Sequence, residues 1–212
     1  LFDTERDDSD IKGEQLELLR TVVDEAESGV VKRIFIVSHR PIWSEDDSRY
    51  AALFAGNTRS IGGCNFTTVV LPLLRKATTH TEVYWISGSM AGRAPASVFF
   101  QPHEPNLTYV QSAVRDQLRD ALLLADVGPE GITWSLLSLT GEPVEAVSTY
   151  DAAWWESRQG KREPFNWRRV PYLVRKNLSS PVFWYGAATT AVLCVICLWT
   201  LTRRRRVSKR NG

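Results

Sequence analysis

The sequence predicts an α/β domain followed by one membrane-spanning helix, and three observations carry that reading. An amphipathic helical pattern is followed by a buried apolar run, a second helix and a second apolar run, which is the order helix, strand, helix, strand. Beyond Ala91 short β-like runs take over, and Val182 to Leu201 holds twenty residues without a charge.

Glu14 to Glu27 places Leu16, Leu19, Val22, Val23 and Ala26 on one face, with Ser9 and Asp10 as capping candidates and Gly29 as the stop. Arg33 to Val37 is short and apolar enough for a strand buried on both faces, and Val83 to Ser87 reads the same way. Between them, Phe66 to Lys76 predicts a helix with Pro72 at or near its first turn. Strand-like runs follow at Ser97 to Gln101, Leu107 to Ala113, Ala121 to Val127 and Ile132 to Leu139, with turn signals at Gly128-Pro129 and Gly141-Glu142-Pro143. Trp154-Trp155 and Phe165 to Tyr172 read as a linker lying on the domain or on lipid headgroups.

The formal charge of +2 over 212 residues conceals a division. Residues 1–157 carry 13 Lys/Arg against 23 Asp/Glu, net −10; residues 158–212 carry 13 against 1, net +12. An acidic body argues against nucleic-acid binding, because a phosphate backbone would meet negative charge. Cys64 is the only cysteine of that body, so it can form no internal disulfide there, and no paired Cys/His spacing suggests zinc. The chain opens Leu1-Phe2-Asp3-Thr4-Glu5 with its single methionine at Met90, and is expected to be part of a longer protein.

The domains expected are therefore an acidic domain over 1–157, a basic aromatic juxtamembrane linker over 158–181, a transmembrane helix over 182–202 and a basic tail over 203–212. A twenty-residue helix covers about 30 Å, one hydrocarbon core. Trp184, Tyr185 and Trp199 suit the interfacial belts, and Arg203 to Arg206 with Lys209 and Arg210 form a stop-transfer cluster. The lipid bilayer is thus a partner through residues 182–202. Arg168, Arg169, Arg175 and Lys176 flank the other end, but the denser C-terminal cluster places the tail in the cytoplasm and the acidic domain outside.

The sharpest local feature is Ile36-Val37-Ser38-His39-Arg40-Pro41-Ile42-Trp43, a histidine at the carboxyl end of a strand. Ligand sites of open α/β sheets collect at such ends, and imidazole is a common metal ligand. Taken alone, the same residue also reads as a hydrogen-bonded turn histidine. Gly88, Ser89, Gly92 and Arg93 form a small-residue loop after the next strand, able to receive phosphate through backbone N–H groups, with Arg93 or Arg40 as a charge clamp. Asp7, Asp8 and Asp10, and Glu45, Asp46 and Asp47, read as solvated acidic loops; the second run follows His39 and could line a rim.

In this order of elements, with Asp3-Thr4-Glu5 at a strand end, the His39-Arg40-Pro41 turn and a later strand ending Ile86-Ser87-Gly88, residues 1 to 140 resemble the calcineurin-like metallophosphoesterases, including the purple-acid-phosphatase type. The resemblance implies an α/β sandwich of two sheets flanked by helices, here in part. It implies a pair of divalent metal ions (Mn, Fe or Zn) with His39 as a ligand of one, and a small phosphate ester as substrate. It also implies Asp-x-His, Gly-Asp and Gly-Asn-His segments that these 212 residues lack; Gly56-Asn57-Thr58 follows the His-Arg-Pro turn and has Thr in the ligand's place. The family ends the second core strand in Gly-His-x-His, whereas this chain reads Gly88-Ser89-Met90-Ala91, with Ser89 and Ala91 at the ligand positions. His80 and His103 are the remaining imidazoles that could substitute.

Two functions are expected from these residues. One is the C-terminal part of a membrane-anchored phosphoesterase hydrolysing a phosphate ester by metal-activated water, the 212 residues alone being inactive. The alternative is a degenerate ectodomain without a metal centre that acts as a binding or scaffolding module. Asn65-Phe66-Thr67 and Asn106-Leu107-Thr108 match the glycosylation acceptor pattern and bear on neither function.

Overall fold

A computed structural model describes residues 1–5, 9–91, 94–160, 167 and 170–208, with the side chains of 172, 173, 176 and 195–208 outside the description. The chain forms two units, Leu1–Pro164 and Phe165–Gly212.

In the first unit α1 (Glu14–Glu27) covers the span its periodicity predicts. Gly29, at φ 74°, closes it by donating its N–H to Ala26 O at 3.0 Å. The start differs from expectation. Gly13 is the N-cap and carries no side-chain cap, while Ser9, buried at φ 72°, donates its hydroxyl to Thr4 O. The helix leads through a turn into β1 (Arg33–Ser38).

The next helical stretch is interrupted in register rather than continuous. Phe66–Val70 takes π geometry, with Leu71 N–H donating to Phe66 O, and α3 (Leu71–Ala77) follows. Pro72 explains the change: it has no N–H to give to the carbonyl four residues back, so the turn before it widens to five-residue spacing. The short helix α2 (Ser48–Ala51) lies between, in the loop after β1, capped by the Asp47 carboxylate accepting from Arg49 N–H.

Four strands form the main sheet in the order β1-β2-β4-β3, with β2 (Glu82–Ser87), β3 (Val98–Glu104) and β4 (Leu107–Ser112). β1, β2 and β4 run parallel and β3 antiparallel, so the carboxyl ends of three strands share one edge. Phe2 adds a parallel bridge to Ser38, its N–H reaching Val37 O at 2.8 Å, which sets Asp3-Thr4-Glu5 beside that same edge. On one face Leu19, Val23 and Ala26 of α1 and Leu74 and Ala77 of α3 pack with Ile34, Ile36, Val83, Trp85, Leu107 and Tyr109 in a single buried cluster.

A second sheet, the hairpin β5 (Ala121–Gly128) and β6 (Gly131–Ser138), packs its Leu123, Trp134 and Leu136 against Phe100, Val110, Ile86 and Val147. The unit is thus α/β with helices on one face of a mixed sheet and a hairpin on part of the other. β1 is not buried on both faces as its apolar run suggests: Phe35 and Val37 are 39% and 41% exposed. The hairpin lies over β2, where Trp134 is 5.4 Å from Tyr84, and meets β1 at its turn, where Arg33 Nη1–H donates to Gly128 O at 2.8 Å; Phe35 stacks on Tyr84 at 5.5 Å.

Trp154 and Trp155 belong to the domain and not to a linker. They sit on α4 (Ala152–Arg158), capped by Asp151, whose Oδ1 accepts Trp154 N–H at 2.8 Å. Trp155 is 1% exposed, donates Nε1–H to Val98 O at 3.0 Å and packs 5.3 Å from both Phe54 and Phe99. The sequence boundary at 157 falls one residue before the end of that helix.

In the second unit α5 (Val170–Leu178) precedes α6 (Pro181–Ser208), 28 unbroken helical residues that contain the uncharged run. Among the described residues no helix is long and apolar enough to cross a membrane. The described side chains of α6 end at Cys194, partway through Val182 to Leu201. Of the aromatic linker Phe165 to Tyr172, residues 165, 166, 168 and 169 lie outside the described residues, and Trp167 is 77% exposed.

Candidate functional site

The parallel register places the ends of β1, β2 and β4 side by side, with Ser38↔Ser87 and Ser87↔Gln111 as neighbours. Beneath this edge the two serine hydroxyls form a closed buried network. Trp85 Nε1–H donates to Ser38 Oγ at 2.8 Å, Trp43 Nε1–H donates to Ser87 Oγ at 3.2 Å, and Ser38 Oγ–H donates to Arg40 O at 2.9 Å. The two oxygens lie 3.2 Å apart, and since the Ser38 proton goes to Arg40, Ser87 is the donor between them. Two tryptophans and two serines therefore fix the turn on which His39 stands.

His39 points out of that turn. Its side chain is 59% exposed, with Nε2 3.7 Å from Glu5 Oε1. An open cleft lined by Asp3, Lys12, Glu14, Gln15 and His39 lies beside it. Arg40 is buried beside it: its side chain is 6% exposed, its Nε lies 3.9 Å from the same Glu5 Oε1, and Nη2 donates to Glu45 Oε1 at 3.0 Å and Ser60 Oγ at 2.9 Å. The other Glu45 oxygen accepts Ser60 N–H at 3.0 Å, and Arg40 N–H donates to Thr4 Oγ1 at 2.8 Å. Arg40, read from sequence as a phosphate clamp, thus ties the His39 turn to the N-terminal segment and to the loop bearing Glu45 and Ser60. Its partner Glu45, read as solvated rim, has a side chain only 8% exposed.

Ser89 adopts φ 48°, a left-handed conformation that costs a non-glycine residue energy. Neighbouring side chains hold it there. Asn57 donates Nδ2–H to Ser89 O and accepts Ala91 N–H, both at 2.7 Å, as a peptide group would. Gln111, fully buried, donates Nε2–H to Gly88 O at 2.9 Å and Ser89 O at 3.2 Å, while Arg115 donates to Met90 O. Gly56 approaches so closely that a Cβ there would lie 3.2 Å from the Ala91 Cβ. Arg93 and Gly92, the rest of the expected phosphate loop, lie outside the described residues, as do Asp7 and Asp8.

Neither other histidine joins the edge. His80 is exposed just before β2, at the amino end of the parallel strands. His103 lies toward the end of antiparallel β3, hence also at that opposite end. Its side chain is 1% exposed, with Nδ1 2.9 Å from Tyr50 Oη and Nε2 3.3 Å from Arg49 Nη2. Burial, reinforced by the Arg49 charge, holds its pKa below the ordinary value, and burial pushes the neighbouring Tyr50 hydroxyl up to about 12. The Arg49 contact requires Nε2 to be the unprotonated acceptor.

The edge therefore brings together Thr4, Glu5, His39, Ser89 and Gln111. No family model, curated protein or solved structure matches the chain. Among the described residues no group of three or more His, Cys, Asp or Glu side chains is placed to hold a metal ion. One exposed imidazole and one carboxylate can contribute to a divalent centre, but they do not hold a pair of ions by themselves. Gln111 and Arg115 were not singled out by motif, and Glu5 and Asn57 were read only within Asp3-Thr4-Glu5 and Gly56-Asn57-Thr58 without these contacts, because the contacts arise from strand pairing and loop closure rather than from spacing along the chain.

Proposed function

We propose that this chain is the C-terminal part of a membrane-anchored phosphoesterase of the calcineurin-like type, acting on a small phosphate ester outside the cytoplasm. His39 is its contribution to a divalent metal centre whose other ligands come from residues beyond these 212. The observation that carries the reading is the exposed imidazole at the carboxyl edge of three parallel strands, with the Glu5 carboxylate 3.7 Å from Nε2 and an open cleft alongside. The membrane part of the reading is supported by the uncharged run Val182 to Leu201 within an unbroken helix and by the arginines that follow it. The test is phosphatase turnover of the complete protein supplied with manganese, iron or zinc. His39→Ala is expected to abolish a metal-dependent activity, and a complete protein inert with every one of these ions would refute the assignment.

A second reading is favoured by one specific observation. Ser89 and Ala91 stand where the family carries imidazoles, and both are engaged through their backbone by Asn57, with no side-chain ligand offered to a metal by Ala91. On that reading the domain keeps the fold as a binding module. It predicts a complete protein that folds without bound metal and whose stability is unchanged by a chelator.

A further inference from the structure

The two Asn-x-Thr triplets are used by nothing described above, and the fold treats their asparagines differently. Asn65 pairs with one residue through both polar atoms: its Oδ1 accepts Ile11 N–H and its Nδ2 donates to Ile11 O, each at 2.9 Å. Ile11 is fully buried. Two bonds to a single residue use one edge of the carboxamide, namely the oxygen and the amide hydrogen on the oxygen's side. A substituted amide prefers the trans arrangement, which puts the new carbon on that side. A sugar on Asn65 Nδ2 would therefore occupy the place of Ile11 O.

Asn106 has no such constraint. It is exposed in the turn between β3 and β4, at φ 61°, a left-handed conformation that asparagine tolerates. Its Nδ2 makes one exposed bond, to Thr78 O at 2.9 Å. The turn lies at the amino end of β4, the opposite end of the sheet from His39, Ser89 and Gln111.

We propose that the folded chain carries an N-linked oligosaccharide on Asn106 and none on Asn65. The donor class is a polyprenyl-diphosphate-linked oligosaccharide. A bond forms between Asn106 Nδ2 and the sugar C1 as the C1–O bond to the diphosphate breaks, Nδ2 loses one proton, and polyprenyl diphosphate leaves. Transfer to Asn106 leaves the carboxyl edge of the sheet open to a substrate. The proposal rests on the reading that the first unit lies outside the cytoplasm.

The experiment is expression of the complete protein in a eukaryotic secretory host, with peptide-N-glycosidase digestion read as a change in mobility and the sites within these 212 residues mapped and counted by mass spectrometry. A control chain carries a reporter acceptor in the exposed β5–β6 turn, made by Glu130→Asn with Ile132→Thr. The wild-type chain is expected to show one glycan that is lost in Asn106→Gln and retained in Asn65→Gln, and the reporter chain two. A reporter that is modified while Asn106 is bare, or a folded chain with its glycan on Asn65, overturns the proposal alone. If neither Asn106 nor the reporter is modified, the orientation itself is wrong and the proposal falls with it.

Discussion

Removing the Asn57 side chain is the sharpest perturbation of the Gly88–Ala91 loop, because one carboxamide supplies two of its hydrogen bonds. Asn57→Ala deletes the donor to Ser89 O and the acceptor of Ala91 N–H, both at 2.7 Å. A net worth of about 1 kcal/mol per bond gives a loss of about 2 kcal/mol, roughly a 30-fold rise in the open population of the loop. Ser89 O keeps its bond from Gln111, so the carbonyl is not orphaned, whereas Ala91 N–H loses the partner it has. Ser89, at φ 48°, then gains by relaxing out of the left-handed region. Amide exchange at Ala91 should accelerate by that factor while exchange in β2 is unchanged, since the loop opens locally. The cycle with Gln111→Ala should show a coupling of roughly 1 kcal/mol, because both side chains grip Ser89 O. A loss under about 0.5 kcal/mol with unchanged Ala91 exchange would show that these amides do not hold the loop.

Three further outcomes are expected. Glu45→Ala removes the carboxylate that is hydrogen-bonded to the buried Arg40 guanidinium, leaving it the more distant Glu5 at 3.9 Å, and should destabilise the first unit by about 3 kcal/mol in urea unfolding, against a smaller loss for the pair change Arg40→Met with Glu45→Leu. Trp155→Ala should cost about 3–5 kcal/mol and shift the unfolding midpoint, whereas a tryptophan lying in a linker would cost almost nothing. His103 gives a pH dependence whose sign is fixed by its depressed pKa. The unfolded chain binds the proton more readily, so the contribution is complete above the ordinary 6.5 and is lost as pH falls through the folded value. The groups facing it are Asp47, Arg49 and Tyr50 from the α2 segment, Glu104 on β3, Tyr109 on β4 and Arg75 on α3. His103→Gln should flatten the acid limb of stability against pH, and an unchanged limb would assign it to other groups.

The helix Glu14–Glu27 and all six strands were legible because their periodicity is local: each run is bounded by glycine, proline or a charge. What was not legible depends on partners distant in sequence. Arg40 looked available to phosphate until the fold set Glu45 and Ser60 against it. Phe35 and Val37 looked like buried positions, and their exposure is decided by how the distant hairpin, which packs Trp134 on Tyr84 and meets β1 at Arg33, lies across the sheet. Trp155 carries no periodic signal that separates a domain residue from an interfacial one; the rings of Phe54 and Phe99 packed against it decide it. His39 is the reverse case, since its place at a strand end was readable from Ile36-Val37-Ser38 and the proline that follows. Its chemistry was not, because a ligand set is a property of several elements at once.

The central claim is that His39 contributes to a divalent metal centre, and the most direct measurement is the metal content of the purified complete protein beside its His39→Ala variant. Two ions per chain in the parent, with at least one lost in the variant and folding retained, is the predicted result. A complete, folded protein that holds no divalent metal, or one whose metal content is the same with and without the imidazole, would contradict it.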